Sequence, residues 1–444
     1  MAFGLDLTTL SIILLIALTV ILASGVWIAV GLGLVGLLAM VLTTPVPVGN
    51  VLATKVWDAA ASWQIAALPL FIWMGEILFR TRLSEEMFRG LSPWLQWLPG
   101  RLLHVNVVGC GIFATMSGSS AATCATIGKI ALPELAKRGY NERMALGSLA
   151  GAGTLGLLIP PSIPMVVYAV TANVSVLKVF LGGFLPGLLV MGLYSGYIAI
   201  WSLLNPGKTP PRDPVMSFME KLRQSRRLIP CLLLIATVFT SLVFGFATAT
   251  ECAAWGVIGA LVLAWWSGTL TRASFMESVM SATRLTCMIM LILAGAAYCT
   301  AAMAYTGIPS ALAEWVQGQN LTPHKLVFAL TIMYIILGCL IDGISMIVLT
   351  AVVVLPMVEK AGFDLVWFGV YLIIHVEMAQ ITPPVGFNLF VLQNMSGKDT
   401  WTVARAAFPF FLLLNVAVVI ITTFPEIVTV IPNWAFPETG IKKT

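Results

Sequence analysis

The chain has 444 residues, 59% of them hydrophobic and 10% charged, with a net charge of +5 and a mean hydropathy of +0.97. That composition excludes a water-soluble globular domain, and apolar runs long enough to cross a hydrocarbon core of roughly 30 Å recur along its whole length. The positive charge is spread over many short loops, which speaks for orientation in a bilayer and against nucleic-acid binding.

Lys and Arg concentrate in cytoplasmic loops, and this bias orders the elements. Residues 7–23 lack a basic leader and follow Asp6, so they form a retained span rather than a removable signal peptide. With 27–42 they make an out–in–out pair that turns at Ser24–Gly25 and leaves the N-terminus outside. Residues 68–79 cross to Arg80, Arg82, Arg89 and Arg101 on the inside. Lys137, Arg138 and Arg143 also belong inside, so 102–135 leaves and returns on one face as an inner re-entrant hairpin, with Ser117–Ser120 at its turn. Residues 144–175 cross outward, broken at Pro160-Pro161, and 179–204 return to a basic cytoplasmic loop, 205–227, holding Lys208, Arg212, Lys221, Arg223, Arg226 and Arg227.

In the second half, 228–246 go out and 253–266 come back. Arg272 and Arg284 mark an inner, surface-lying segment before 285–305 exits. Residues 324–358 form an outer hairpin with Asp342–Ser345 at its tip. Residues 366–396 cross inward, broken at Pro383-Pro384, and reach Lys398 and Arg405. Residues 402–430 exit, leaving a tail, 431–444, outside with Lys442 and Lys443. The fold class expected is an all-α polytopic membrane protein made of two inverted-topology repeats, 1–204 and 228–430. Each repeat has scaffold helices and an arm (1–80 and 228–305), one re-entrant helical hairpin and one broken transmembrane helix. Such a pairing is the trace of a transport site built from internal repeats.

The chemistry falls on the tips and the breaks. Gly156-Leu157-Leu158-Ile159-Pro160-Pro161-Ser162-Ile163-Pro164 is echoed by Gln380-Ile381-Thr382-Pro383-Pro384-Val385-Gly386-Phe387-Asn388. Each Pro-Pro pair removes two amide donors and clashes with the preceding turn, so both helices unwind there. Non-helical backbone at membrane depth survives only inside protein or along a cavity. Freed carbonyls suit a bare monovalent cation, and amides at half-helix N-termini suit an anion. At the tips, Gly118 and Gly343 permit tight turns, and Ser117, Ser119, Ser120 and Ser345 add hydroxyls. Asp342 is a candidate charged ligand for a cation, or its support. Two cation sites flanking one anion site follow.

Other ionisable groups read differently. Glu377 is placed to brace the second broken helix. Glu76 and Glu251, near segment ends, read as pairing or capping groups, and Lys129 as a residue snorkelling to the inner surface. His375 reads as a core histidine, with a proton relay as the alternative. Seven cysteines without a C-x-x-C pair read as packing residues. There is no G-x-x-x-x-G-K-[ST] run for ATP, no H-E-x-x-H, and no histidine spaced to serve Ser117, so no enzyme is expected.

These motifs resemble the large membrane subunit of TRAP transporters, the DctM family of the ion transporter superfamily, from about Leu5 to Pro425. The resemblance is carried by Leu68-Pro69-Leu70-Phe71-Ile72-Trp73-Met74-Gly75-Glu76, by Ser117-Gly118-Ser119-Ser120-Ala121-Ala122-Thr123, and by Gly151-Ala152-Gly153-Thr154-Leu155-Gly156. Ala249-Thr250-Glu251 and Glu377 with Ile381-Thr382-Pro383-Pro384-Val385-Gly386 extend it. The family implies a sodium-coupled, elevator-type importer in the bacterial inner membrane, where the basic-residue count puts both termini on the periplasmic side. It implies two partners, a small four-helix membrane subunit and a periplasmic binding protein. The cargo would be an organic acid of the dicarboxylate, keto acid or sialic acid class, with sodium ions for coupling and no other cofactor. Carried across, the sodium ligands fall at Ser117, Gly118, Ser119 and Ser120 with Gly156 and Pro160, and at Asp342, Gly343 and Ser345 with Gln380 and Thr382. The acid falls near Ser119, Pro161, Ser162, Ser345, Pro384 and Asn388. Where the family often reads Ala-Thr-Pro-Thr-Glu-Ala, this chain has Ala247-Thr248-Ala249-Thr250-Glu251-Cys252, a change expected to soften a helix start. No fused small subunit precedes residue 1, so a separate one is expected. Two alternatives remain at this point: a carrier that needs no binding protein, and an anchor that transports nothing.

Overall fold

The computed structural model describes residues 6–81, 83–211, 216–318 and 322–436. The expectations for Arg82, Arg212, Lys442 and Lys443 lie outside the described residues. Among the described residues every regular element is helical.

The chain opens with α1 (Leu7–Ala23), started by Asp6, whose carboxylate accepts the Thr9 amide at 3.2 Å. There follow α2 (Ile28–Thr43), α3 (Val48–Ala60), α4 (Ala67–Phe79) and α5 (Leu83–Leu95). The first hairpin is α6 (Leu102–Ser117) with α7 (Ser120–Lys137), and the first broken helix is α8 (Glu142–Leu158) with α9 (Ile163–Thr171), bent by 42°. Then α10 (Val176–Leu204) leads to α11 (Phe218–Ser225), α12 (Ile229–Val243) and α13 (Ala249–Trp266). Next come α14 (Arg272–Thr306) and α15 (Ile308–Gly318). The second hairpin is α16 (Pro323–Leu340) with α17 (Gly343–Lys360), and the second broken helix is α18 (Leu365–Gln380) with α19 (Phe387–Ser396). The chain closes with α20 (Thr400–Thr423) and α21 (Glu426–Ala435).

Three expected segments are corrected. Residues 272–305 lie in one unbroken helix of 35 residues, Arg272–Thr306, not in a surface segment followed by a span. Thr271 and Ser274 form a capping box at its start, and no proline interrupts it before Gly307 closes it at φ 74°. Residues 402–430 are not one helix either. The chain leaves α20 at Phe424, and Pro425, which donates no amide, precedes the short α21. That last helix reaches Ala435, past the expected tail boundary at residue 431. The helices α3, α5 and α15 have no counterpart in the sequence reading. Each is short, with polar residues on one side, and lacks the all-round apolar character of a span.

The described residues after 216 in the basic loop are folded onto the protein. The amphipathic α11 lies on α5, where Trp94 Nε1 donates to Ser225 Oγ at 2.7 Å and Ser225 Oγ donates to the Gly90 carbonyl at 2.9 Å. Lys221 sits over the Trp94 ring at 5.9 Å.

Two bodies organise the core. A framework is made by α14 packed on α2, α3 and α4. Small residues bring α14 and α2 together: a Cβ on Gly295 would lie 2.3 Å from the Ala29 carbonyl. Arg80 on α4 pairs with Glu76 and donates to Ser281 on α14 at 3.0 Å, which fixes α4 to the same frame. The other body is centred on α8, buried along nearly all its length between α6, α7 and α20. Its glycines let neighbours approach: a Cβ on Gly147 would meet the Ala406 carbonyl at 2.2 Å.

Candidate functional site: two tips and two helix breaks

At the first tip, α6 stops because Gly118 adopts the left-handed region, φ 58°. A side chain there would be strained, and its Cβ would also press the Pro161 carbonyl at 3.2 Å. Ser119 is the N-cap of α7. Behind it, Ser117 Oγ lies 2.6 Å from Thr123 Oγ1, and Thr123 Oγ1 donates to the Ser119 carbonyl at 2.8 Å. The first break begins where α8 ends at Leu158. Ser162 is buried and its hydroxyl donates to the Leu157 carbonyl. Tip and break touch directly: a Cβ on Gly156 would lie 2.7 Å from both the Ser119 carbonyl and Thr123 Oγ1.

The second tip is built from different parts. Asp342 is the N-cap of α17, its carboxylate accepting the amides of Ile344 (3.1 Å) and Ser345 (3.2 Å) and the Ser345 hydroxyl. Gly343 is the first residue of α17 rather than a left-handed turn. Its missing Cβ makes room for Val376 of α18, which would otherwise sit 2.2 Å away. The second break runs from Ile381 to Gly386, and Gly386 packs against the carbonyls of Gln380 and Thr382, at 2.8 and 3.0 Å from where its Cβ would be. The Thr382 hydroxyl turns back to the Met378 carbonyl at 2.5 Å.

One residue ties the halves together. Asn388, fully buried, accepts from Ser120 Oγ at 2.8 Å and donates to the Ala150 carbonyl at 3.1 Å. The start of α19, just after the second break, is thereby bonded to the first tip and to α8.

Both tips open onto a cavity of about 1060 Å³. Gly118, Ser119, Ser120, Asp342, Gly343, Ser345 and Gln380 line it, opposite the α1–α2 turn (Gly25–Ala29) and the α14 face from Arg284 to Ile292. Ser117, Gly156, Pro160 and Thr382 are not on the cavity wall, nor are Pro161, Ser162, Pro384 and Asn388. Pro160 and Pro161 border a separate small apolar pocket against α12. Two members of the arrangement were not singled out from sequence. Thr123 was legible, as a hydroxyl one helical turn after Ser119. Arg284 was not, because only the packing of α14 shows which way it faces.

The remaining ionisable groups lie away from the cavity. Glu76 pairs with Arg80. Glu251 completes a capping box with Thr248, accepting its amide at 2.7 Å, so α13 starts firmly without the family's proline. Glu377 is fully buried on α18 next to Thr154 of α8. His375 Nδ1 donates to the Tyr371 carbonyl at 2.8 Å, and its ring packs with those of Tyr334 and Tyr371. Lys129 is exposed. The cysteines are free thiols, five of them buried.

Comparison with known proteins gives one consistent answer. The family model "Tripartite ATP-independent periplasmic transporter, DctM component" matches residues 15–427. A C4-dicarboxylate TRAP transporter large permease protein of Pseudomonas aeruginosa is 32% identical over 91% of this chain and 94% of its own. An isethionate TRAP transporter permease protein of Oleidesulfovibrio alaskensis, named DctMQ, is 30% identical over 90% of this chain and 62% of its own. The crystal structure of the YdaH transporter of Alcanivorax borkumensis, described as having an unusual topology, aligns with 90% of this chain and 97% of its own. The TM-score is 0.63 at 13% identity, which is a likeness of fold. The chain therefore belongs to the DctM component family of the tripartite ATP-independent periplasmic transporters, as a multi-pass membrane permease subunit.

Proposed function

We propose that this subunit imports a small organic acid coupled to the sodium gradient, by an elevator movement of the tip-and-break body against the α2–α3–α4–α14 framework. The convergence of both tips, and of residues flanking both breaks, on one cavity walled by that framework carries the reading. The acid is accommodated between Ser119 and Ser345, with Pro161, Ser162, Pro384 and Asn388 shaping the backbone behind it. Sodium is coordinated by Ser117, Gly118, Ser119, Ser120, Gly156 and Pro160 in the first half, and by Asp342, Gly343, Ser345, Gln380 and Thr382 in the second. Oxygen-only donor sets of carbonyls and hydroxyls suit a hard cation. The named relatives handle a C4-dicarboxylate and isethionate, so the cargo class is a small anion with a carboxylate or sulfonate head. A small membrane subunit and a periplasmic binding protein complete the system. The orientation follows the basic residues, with both termini periplasmic and the two halves inverted.

The test is uptake of radiolabelled succinate and isethionate into proteoliposomes holding this chain, its small subunit and the binding protein. A sodium gradient should drive accumulation and a potassium gradient should not. Equal uptake in both would remove sodium coupling, and uptake without the binding protein would favour a self-sufficient carrier.

A further inference from the structure

The cavity has a charge asymmetry that the tips do not explain. Asp342 is the acid on its wall, and its carboxylate is engaged at the start of α17 by two amides and a hydroxyl. Arg284 is the cation on the same wall. It stands about 18 Å along α14 from that helix's start at Arg272, taking 1.5 Å per residue. It is exposed there, and among the described residues no ion pair or hydrogen bond engages it. It stands where the polar first turns of α14 give way to the apolar run from Leu285, and a guanidinium at that edge is costly unless it borders water or meets an anion. Arg80, the other arginine of the framework that lies along α14 rather than at its start, is engaged. Arg80 is held by Glu76 and Ser281 and has a second carboxylate, Glu277, at 3.8 Å. Arg284 has no such partner, and it faces the space between the tips.

Resting on the organic-acid reading above, we infer that Arg284 is the anion-recruiting residue of this cavity. Its planar fork of donors matches the two oxygens of a carboxylate or sulfonate. Because α14 belongs to the framework through Gly295 and Ser281, the charge stays with the framework while Ser119 and Ser345 stay with the tips. An acid bound between the tips therefore meets Arg284 only when the tips stand opposite this stretch of α14. Arg284 acts on the acid in one position of the tips and releases it in the other.

Cys287 provides a probe that does not depend on turnover. It lies one turn after Arg284, lines the same cavity and is exposed. The experiment compares the rates at which an anionic (sulfonatoethyl) and a cationic (trimethylammonioethyl) methanethiosulfonate modify Cys287 in the purified full chain in neutral detergent. Cys287→Ser supplies the background. The native protein should favour the anionic reagent, and Arg284→Gln should lower the anionic-to-cationic rate ratio about fivefold or more, as removal of a unit charge some 6 Å away requires. Arg284→Lys should keep the ratio. Arg284→Met is the second neutral variant if Arg284→Gln does not assemble. An unchanged ratio in the neutral variants overturns the inference. So does protection of Cys287 by succinate or isethionate that is equal in the native and neutral proteins. A ratio that falls while neither acid protects supports the charge and counts against the organic-acid reading, so the two can fail separately.

Discussion

The two tip-and-break units do similar work with different parts, and the contrast shows what each residue is for. In the first unit the turn is made by backbone geometry: Gly118 is left-handed, and the hydroxyls of Ser117 and Thr123 close over the Ser119 carbonyl. In the second the turn is made by charge, with Asp342 accepting two amides and a hydroxyl at the start of α17. The glycines differ in the same way. Gly118 is needed for its φ, whereas Gly343 has ordinary helical backbone and is needed for the space that Val376 fills. The breaks also differ in support. The first rests on its own tip through Gly156, and the second is bonded to the opposite half through Asn388. Matching sequence positions thus share a location without sharing a mechanism.

The cross-half bond gives the largest expected effect. Asn388→Leu leaves the Ser120 hydroxyl buried without its partner and the Ala150 carbonyl with only its bond inside α8, and should cost about 3 kcal/mol. The check is thermal unfolding together with binding. A variant that unfolds like the native protein but loses the acid would make Asn388 a ligand rather than a tie between halves. Next in size is sodium itself. In sodium chloride against potassium chloride of equal ionic strength, sodium at 100 times its dissociation constant should stabilise by about 2.7 kcal/mol per site. Ser119→Ala should reduce that stabilisation through the first unit, and Ser345→Ala through the second. If both variants shift with sodium as the native protein does, neither serine is a ligand.

Smaller effects sharpen the contrast between turns. Gly156→Ala drives a methyl into the backbone of the first tip and should cost about 2 kcal/mol, as overpacking against atoms that cannot rotate away. Gly343→Ala meets only the Val376 side chain and should cost less; the reverse order would mean that the second contact is the tighter one. Least affected should be the caps. Asp342→Ala removes acceptors for two amides and should destabilise by about 1 kcal/mol or more. Ser119→Ala, whose cap bond to the Ala122 amide is a long 3.5 Å, should cost only about 0.5 kcal/mol without sodium. Equal unfolding temperatures for these two variants in potassium would remove the distinction between a charge-made and a backbone-made turn.

Most of the helical plan was legible. The span 7–23 reappears unchanged as α1, and both hairpins turn at the named tips, because apolar length and paired prolines act locally. The misses have one physical cause each. The run 272–305 was split because Arg272 and Arg284 looked like surface markers, yet helix continuity depends on capping and on the absence of proline, and both favour one helix. The short amphipathic helices α3, α5 and α15 escaped because a hydropathy window rewards spans and averages away a two-sided pattern. The candidate site divides in a similar way. Ser119, Ser120, Asp342, Ser345 and Gln380 are both named by sequence and present on the cavity wall. Asn388 and Ser162 are expected beside the acid, and in the structure their hydrogen bonds face inward to Ala150, Ser120 and Leu157.

By itself the sequence determined the membrane-spanning helices, the two tips and the two breaks, since each follows from local chemistry: apolar length, proline's missing donor and residues that cap or turn. Only the tertiary structure decided which donors share a cavity and which are used up in holding the breaks. It also placed Arg284 opposite the tips. Those outcomes depend on the approach of helices far apart in the chain, set by small residues such as Gly147, Gly156 and Gly295 at contacts that no local pattern specifies.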